Sequence, residues 1–323
     1  MRASRKPPAK ITPRKNVFTH AMAGIEGYRR LRADGTPNWA QRLPEKIGEA
    51  GLIASRPPIM VSSTAPIMEA IEAITRNRVR GLIVSSGPLI HGVVTANDLV
   101  NYLGGGSYYN VALERHGGNI YRALTREKVA TISSTRFPVI GSNEPLSRAV
   151  ELILASRAGF LIVVNNGKPY GVLTERDLIR HLSGKRVGIS VEQAMTTPVF
   201  YVEERDTMKK AAELLTRYGI RRLPVVSSSG EVEGILTARS YLEYYGSHKV
   251  FSELGDTSLE KVLGKPISTL DLEEAMYAET GMDVGDAVDV MVKTGTSSLL
   301  VVDDEYNVVG ILTERDALIA MLA

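Results

Sequence analysis

The stretches GVLTERDLIRHL at 171–182 and GILTERDALIAML at 310–322 are almost the same sequence, written twice in one chain. The same G-x-x-T pattern begins GVVTANDLVNYL at Gly92 and GILTARSYLEYY at Gly234. Internal repetition of this kind is typical of proteins built from a repeated structural unit. The four copies therefore predict four repeats.

The residues before each G-x-x-T motif follow one order of elements. An amphipathic stretch comes first, as in Met208, Ala211, Ala212 and Leu215, whose spacing is that of a helix face. A short apolar run, a polar turn and a second apolar run follow, which predicts a β-hairpin. The motif then opens a second amphipathic helix. A short helix and an extended piece lie upstream of these elements, so each repeat is predicted to run as short helix, strand, helix, strand, strand, helix.

One repeat of about 60 residues buries too little surface to be stable alone, so we expect the repeats to pair. The predicted organisation is an arm and strap at 1–45, then two modules at 46–184 and 189–323. The repeats within the modules are expected at the following positions: about 46–104, 125–184, 189–246 and 257–323. The fold class is α/β (α+β). The fourth repeat is longer than the third when counted from its proline, which suggests an insert within 271–283. GGG at 104–106 is interpreted as a helix stop and linker.

Composition excludes several classes of protein. The chain has 44% hydrophobic and 23% charged residues and no apolar run long enough to span a bilayer, which indicates a soluble globular protein in the cytoplasm. It has no cysteine, so disulfides, thiol nucleophiles and thiolate metal sites are excluded. The five histidines lack ligand spacing, and no metal site is expected. No catalytic motif is present, so we expect a protein that is not an enzyme and has no cofactor.

This pattern resembles the CBS domain, a β-α-β-β-α unit that works in tandem pairs called Bateman modules. The resemblance covers about residues 46–323. The layout of four repeats is similar to that of the free-standing archaeal CBS proteins and of the regulatory γ subunit of AMP-activated protein kinase. It implies clefts that bind adenine nucleotides, with Thr contacting phosphate and Asp contacting the ribose. These roles fall on Thr95 and Asp98, Thr174 and Asp177, and Thr313 and Asp316.

The third repeat departs from this pattern, because Thr237 is followed by Ser240 where the others have Asp. A serine cannot bridge two hydroxyls as a carboxylate does, and hydrogen bonds to a charged group contribute roughly 1.5–3 kcal/mol. The sequence therefore predicts a weak or empty third site.

Arginines near the motifs are candidates for binding phosphate, because the guanidinium fork donates two parallel bonds. The candidates in the T-x-x-D motifs and at the strand starts are Arg176, Arg315, Arg80, Arg221 and Arg222. The matching positions in the second and fourth repeats are Gly159 and Ser297. The resemblance also implies an adenine slot at the first extended segment of each repeat. These slots are Ile59–Met60, Val139–Ile140, Val199–Tyr201 and Ile267–Ser268.

Simpler interpretations remain open. Thr-x-x-Asp also caps helices without any ligand, and the arginines also suit a solvated surface or structural ion pairs.

Residues 1–46 hold eleven basic and three acidic residues, and the composition of 1–15 predicts a disordered arm. Residues 24–46 are expected to form a strap on the first module.

The leading functional hypothesis is a non-catalytic regulatory sensor of AMP, ADP or ATP that acts on a partner protein. The alternatives are a nucleic-acid-associated protein that uses the basic arm, an S-adenosylmethionine sensor, and a ligand-free scaffold. Modules of this kind can also pair between two chains, which would give a homodimer.

Overall fold

The computed structural model describes residues 9–11, 19–20, 43, 47–87, 89–156, 159–253 and 258–323. Most of the predicted arm and strap lies outside the described residues, so its expected disorder and its expected place on the first module are testable only at a few positions.

Each repeat has the predicted β-α-β-β-α order, which confirms the fold class. Strand β1 (Thr19–His20) precedes the repeats. Repeat 1 contains α1 (Glu49–Ile53), β2 (Met60–Ser62), α2 (Ile67–Asn77), β3 (Gly81–Ser86), β4 (Leu89–Thr95) and α3 (Ala96–Val100), and α3 continues as a π-helical turn at Asn101–Gly105. Helices α4 (Tyr109–His116) and α5 (Ile120–Arg126) follow. Repeat 2 contains a 3-10 turn (Val129–Thr131), β5 (Val139–Gly141), α6 (Leu146–Ala155), β6 (Phe160–Asn165), β7 (Lys168–Thr174) and α7 (Glu175–Leu182).

The second half of the chain repeats this plan. Repeat 3 contains α8 (Val191–Ala194), β8 (Thr196–Thr197), β9 (Val202–Glu203), α9 (Met208–Arg217), β10 (Arg222–Val226), β11 (Val232–Thr237) and α10 (Ala238–Gly246). Helices α11 (Lys249–Glu253) and α12 (Leu259–Leu263) follow. Repeat 4 contains a 3-10 turn (Ile267–Thr269), β12 (Tyr277–Glu279), α13 (Val284–Thr294), β13 (Ser298–Val302), β14 (Val308–Thr313) and α14 (Glu314–Leu322).

In every repeat the strand before the long helix (β2, β5, β9 or β12) runs parallel to the strand after it. That second strand forms an antiparallel hairpin with the next one. Apolar side chains on the helix face and on the strands are buried together, as in Ile67, Ile71 and Ile74 of α2 and Leu82 and Val84 of β3. The helical and strand periodicities in the sequence therefore specify the same core.

The sheets of repeats 1 and 2 pack on each other through Ile83, Val93, Phe160 and Ile162. The sheets of repeats 3 and 4 pack in the same way through a second small core that contains Val226, Ile235, Leu300 and Val302. We call repeats 1 and 2 the first pair and repeats 3 and 4 the second pair.

Helices join the two pairs. Helices of repeat 1 share a core with helices of repeat 3, where Tyr241 and Tyr245 of α10 are fully buried with Ile71 of α2. Helices of repeat 2 share another core with those of repeat 4, which contains Leu178 and Leu318. The four repeats therefore surround a common centre.

The interpretation of GGG as a linker is wrong. Gly104 and Gly105 are buried in the π-helical turn. A Cβ at Gly104 would lie 2.6 Å from the side chain of Leu263, and one at Gly105 would lie 2.6 Å from the carbonyl oxygen of Ala212. These glycines allow close packing of the first pair on the second.

A short extended piece follows the opening turn of each repeat, and we call it the lead segment. Each lead segment crosses to the other repeat of its pair and makes a bridge with the residue after the motif glycine. The bridged residues are Ser55 with Val172, Ser134 with Val93, Thr196 with Ile311, and Glu273 with Ile235.

This crossing explains the glycine of G-x-x-T. A Cβ at Gly92 would lie 2.5 Å from the carbonyl oxygen of Ser134, and one at Gly171 would lie 2.8 Å from that of Ser55. Because real Cβ contacts are longer than this, a side chain here would push the lead segment away.

The expected insert in the fourth repeat is wrong. From the first residue of the opening turn to the motif glycine the four repeats span 43, 42, 43 and 43 positions. The error came from equating Pro266, which caps the opening turn, with Pro198, which follows the lead segment. The assignment of Ile267–Ser268 to an adenine slot has the same misalignment, since Ile267–Thr269 is the opening 3-10 turn and the strand equivalent to β2 and β5 is β12 at Tyr277–Glu279.

Of the described N-terminal residues, 9–11 and 19–20 lie on the second pair, whereas Leu43 is buried in the core that the helices of repeats 2 and 4 share. Lys10 bridges Glu231 and Asn307, next to the hairpin turns of repeats 3 and 4. Ala9 and Ile11 are buried in the small core between these hairpins. The prediction of a disordered arm is therefore wrong for residues 9–11.

Candidate functional site

The Thr-x-x-Asp motifs form capping boxes at the starts of α3, α7 and α14. In the first, Asp98 Oδ2 accepts from the Thr95 backbone N–H at 2.8 Å and from the Thr95 hydroxyl at 2.7 Å. The second and third boxes have the same bonds, at 2.6–2.9 Å. Each threonine hydroxyl donates its hydrogen bond to the carboxylate. In this structure the threonine therefore positions the aspartate and has no further hydrogen to donate to a phosphate.

The other carboxylate oxygen, Oδ1, takes no part in the capping box. Asp177 Oδ1 accepts from the Ser55 hydroxyl at 3.3 Å, and Asp316 Oδ1 accepts from the Thr196 hydroxyl at 3.2 Å. Both hydroxyls belong to lead segments from the other repeat of the pair. Asp98 Oδ1 has no donor among the described residues, and burial raises the pKa of Asp98 despite its bonds to Thr95. An additional hydrogen-bond donor would therefore stabilise the charged form of Asp98.

The third repeat has a carboxylate where the sequence analysis found none. Ser240 Oγ accepts from the Thr237 backbone N–H at 2.9 Å, as Asp does elsewhere. Glu273, on the lead segment of repeat 4, accepts from the Thr237 hydroxyl at 3.1 Å and from Arg239 at 2.6 Å. Sequence reasoning missed Glu273 because it lies 36 positions from Thr237.

The candidate arginines converge where the four repeats meet. Arg80, Arg221 and Arg222 lie at the starts of β3 and β10, whereas Arg176 and Arg315 lie in the first turns of α7 and α14. Arg239 occupies the corresponding place in α10 and was also missed. The structure therefore brings together all five arginines proposed from the sequence.

Two buried glutamates connect these arginines. Glu175 is fully buried and accepts from Arg80 at 2.9 Å and Arg221 at 2.8 Å, and it also contacts Arg315 at 3.4 Å. Glu314, 1% exposed, is paired with Arg176 at 2.7 Å and with Arg80. The repeated TERD tetrapeptide was a signal for both glutamates, because acids beside arginines at a repeat junction suit ion pairs.

Arg176 and Arg315 form ion pairs with glutamates of the opposite pair of repeats. Arg176 reaches across to Glu314 of the second pair, and Arg315 reaches Glu175 and the carbonyl oxygen of Ser156 in the first. Their ion pairs therefore tie the two pairs of repeats together.

The pKa of Glu175 shows how strong the local positive field is. Burial alone would raise it, but the charges of Arg221 and Arg80 outweigh burial and lower the pKa to about 2. Burial and the neighbouring Arg221 lower the pKa of Arg80 to about 10, so Arg80 is still charged at neutral pH. Arg222 donates to the neutral hydroxyl of Ser297 at 2.8 Å, and burial lowers its pKa.

The cluster carries excess positive charge. Its arginines are Arg80, Arg176, Arg221, Arg222, Arg239 and Arg315, and its acids are Glu175, Glu273 and Glu314. Six arginines against three glutamates leave three cations unmatched before the capping-box aspartates are counted, and the centre is largely buried, where electrostatic interactions are stronger than in water. Such a centre attracts an anion, and the aspartates of the capping boxes lie at the starts of the same helices.

A cavity of about 470 Å³ lies toward the rim of the second pair. Met195, Val199 and Tyr201 from the lead segment of repeat 3 and the following residues line one side, and Asp303 and Val308 lie on another. Its volume is within the ordinary range for small-molecule sites. The cavity includes Val199 and Tyr201, which the family resemblance assigned to an adenine slot.

The described residues contain no group of three or more His, Asp or Glu side chains arranged to hold a metal ion. No described helix is long and apolar enough to cross a membrane.

Comparison with known proteins agrees with the fourfold repetition. A family model for the CBS domain matches residues 48–105, 129–184, 191–247 and 268–323. An uncharacterized 33.4 kDa protein in a ribosomal RNA operon of Thermofilum pendens is 31% identical over 265 residues, which are 81% of this chain and 87% of the relative.

Two solved structures resemble the whole repeat region. Protein MJ1225 from Methanocaldococcus jannaschii, described as a proposed archaeal homologue of γ-AMPK, is 28% identical and superposes with a TM-score of 0.75 over 83% of this chain and 97% of that one. An uncharacterized conserved protein from Pyrococcus horikoshii is 21% identical, with a TM-score of 0.52 over 84% of this chain and 98% of that one. The second likeness concerns the fold alone.

Proposed function

The chain belongs to the CBS domain family, and from this premise we propose that it is a non-catalytic sensor of adenine nucleotides. AMP, ADP or ATP binds in clefts between paired repeats, and the occupied state changes how the chain acts on a partner protein. We further propose that it works in the cytoplasm. The observation that carries this proposal is the convergence of six arginines, matched by three glutamates, on the strand-to-helix junctions that hold the capping-box aspartates.

The chemistry of the clefts supports a ribonucleotide. The capping boxes use Oδ2 of Asp98, Asp177 and Asp316, and within the described residues Asp98 Oδ1 accepts from no donor. A ribose hydroxyl that donates to this oxygen would relieve the unfavourable burial of Asp98. The nearby arginines suit a phosphate, because charge-assisted bonds between guanidinium and phosphate are short and strong.

The charges also favour one orientation of the nucleotide. Glu192, Asp303, Asp304 and Glu305 line the rim cavity, and among the described residues no arginine or lysine lines it. These acids would repel phosphate at the rim, whereas the cluster would attract it at the centre. We therefore place the uncharged base toward the rim and the phosphates toward the centre.

The ion pairs provide a route from ligand to conformation. Arg80 of the first pair contacts Glu175 of the same pair and Glu314 of the second. A phosphate that competes with these glutamates for Arg80 would change the bonds holding the two pairs together. A ligand shifts a conformational equilibrium only when it binds the two states with different affinity, and this competition supplies such a difference.

Titration calorimetry with AMP, ADP, ATP and S-adenosylmethionine tests the proposal. Measurements compare wild type with Asp98→Asn, Asp177→Asn and Asp316→Asn, which keep an oxygen for the cap. We expect nucleotide affinity to fall at least about tenfold at each altered cleft, since a hydrogen bond to a charged group is lost. S-adenosylmethionine should bind more weakly, because its sulfonium cation is repelled by the arginines. Unchanged affinity in all three variants would overturn the proposal.

The alternative of nucleic-acid binding through residues 1–45 is separated by a gel shift across a salt series, with and without that segment. Strong nucleic-acid binding that is lost on truncation, together with no nucleotide binding, would favour the alternative.

A further inference from the structure

The four bridged residues of the lead segments occupy equivalent positions, and one of them differs in chemistry. Ser55, Ser134 and Thr196 carry hydroxyls, whereas Glu273 carries a carboxylate. Each bridges the residue after a motif glycine of the other repeat in its pair. Equivalent backbone pairing means that their side chains start from the same place beside the capping box.

In two clefts the lead segment supplies a hydroxyl and the capping box supplies the carboxylate. Ser55 donates to Asp177 at 3.3 Å, and Thr196 donates to Asp316 at 3.2 Å. In the third cleft the positions of the hydroxyl and the carboxylate are exchanged. Ser240 of the capping box carries the hydroxyl, and Glu273 of the lead segment carries the carboxylate.

Glu273 is placed to receive a ligand. Its Oε1 accepts from Thr237 and Arg239, and within the described part of the chain no donor contacts its Oε2. The side chain is about a third exposed (32%). The carboxylate raises the pKa of both Arg222 and Arg176 against the dominant effect of burial, which indicates that these cations are near it.

We propose that the third cleft is a ligand site in which Glu273 replaces the missing aspartate. It takes a phosphorylated ribonucleoside, with a ribose hydroxyl donating to Glu273 Oε2 and the phosphate near Arg222. This inference rests on the proposed nucleotide-binding function and opposes the expectation of a weak or empty third site. That expectation considered only position 240, whereas the carboxylate comes from another repeat.

An exchange of side chains tests the site. Glu273→Ser removes the carboxylate, and the double variant Glu273→Ser with Ser240→Asp rebuilds the arrangement of the second and fourth clefts. Each protein is titrated with AMP and with 2′-deoxy-AMP, and crystals soaked in AMP report which clefts are filled. The melting temperature of each variant serves as the control for folding.

We expect wild type to bind AMP in the third cleft and 2′-deoxy-AMP more weakly there. Glu273→Ser should lower the affinity of that cleft at least about tenfold, because a charge-assisted hydrogen bond is lost. The double variant should return it to within about threefold of wild type on the same scale of hydrogen-bond energies. A general loss of folding cannot produce this recovery.

Three outcomes would overturn the inference. AMP bound beside Asp98, Asp177 and Asp316 with the third cleft empty in wild type would refute it and leave the proposed function intact. Glu273→Ser that binds as tightly as wild type would do the same. Absence of AMP from every cleft of the wild-type protein would refute both proposals together.

Discussion

Replacing Glu175 by glutamine tests whether buried charge holds the four repeats together. Glu175 is fully buried and contacts Arg80 of repeat 1, Arg221 of repeat 3 and Arg315 of repeat 4. Glutamine has nearly the same shape but no charge. The variant therefore removes the anion that three arginines share, while Arg80 keeps its second partner Glu314.

The expected loss of stability follows from the pKa. The three arginines lower the pKa of Glu175 from 4.5 to about 2 in the folded protein, even though burial opposes this. Each unit of pKa corresponds to about 1.4 kcal/mol, so the charge contributes about 3 kcal/mol at neutral pH. Removing one partner of a buried ion pair costs about 3–5 kcal/mol in other proteins. We therefore expect a loss of about 3 kcal/mol in the free energy of unfolding.

Urea denaturation at pH 7 measures this loss. The matched control is Glu203→Gln, whose carboxylate pairs with Arg205 at the surface, with 37% and 74% of the two side chains exposed. An exposed pair contributes at most about 1 kcal/mol, so the control should unfold almost as wild type does. Addition of 10 mM inorganic phosphate (about the concentration at which a weak anion site fills) should stabilise Glu175→Gln more than wild type, since an anion can replace the lost carboxylate.

The pH dependence has a definite sign. Because the folded pKa of Glu175 is lower than the unfolded one, its contribution is complete above about pH 4.5 and disappears as the pH falls toward about 2. The difference between wild type and Glu175→Gln should shrink across that window. A loss at pH 7 no larger than that of the control, or a difference that does not change down to the acid limit of folding, would refute the reasoning.

Three further changes have defined outcomes. Gly171→Ala should destabilise by about 1–3 kcal/mol in urea, because its Cβ would lie 2.8 Å from a carbonyl oxygen of the crossing lead segment, whereas Gly281→Ala, with open space around it, should be nearly neutral. A large effect at Gly281 would contradict the steric explanation. Asp98→Asn should leave the ligand-free protein as stable or more stable by calorimetric melting, since burial raises the pKa of Asp98 and disfavours its charge, while weakening nucleotide binding; a clear loss of stability would show that the charge is structural. Ile11→Asp should destabilise by about 2–4 kcal/mol and expose the hairpins of the second pair to limited proteolysis, while Lys10→Ala, whose side chain is 55% exposed, should change little; equal effects would argue against burial at position 11.

Much of the fold could be predicted because its signals are local. Four motifs in register, with helical and alternating periodicity before them, determine the order of elements within each repeat. The capping boxes at Thr95, Thr174 and Thr313 were visible for the same reason, since a Thr and an Asp three residues apart interact within one helical turn. The errors arose where local cues were ambiguous, as with the proline of the fourth repeat and the glycines at 104–106.

The candidate site could be predicted only in part. The aspartates were found because the resemblance marks their positions, and the arginines because they lie within the repeated motif or at the strand starts. Glu273 was not found, since its partner Thr237 belongs to another repeat. The roles of Glu175 and Glu314 were also hidden, because their cations come from repeats on both sides of the centre.

The amino-acid sequence by itself determined the repeated unit and the positions of the capping carboxylates, because these depend on hydrogen bonds and packing among residues close in the chain. Only the tertiary structure decided which wall of each cleft carries the carboxylate, which glutamates neutralise which arginines, and how much positive charge remains at the centre. These properties depend on contacts such as Glu175 with Arg315, 140 positions apart, and no local pattern encodes the distance between such residues.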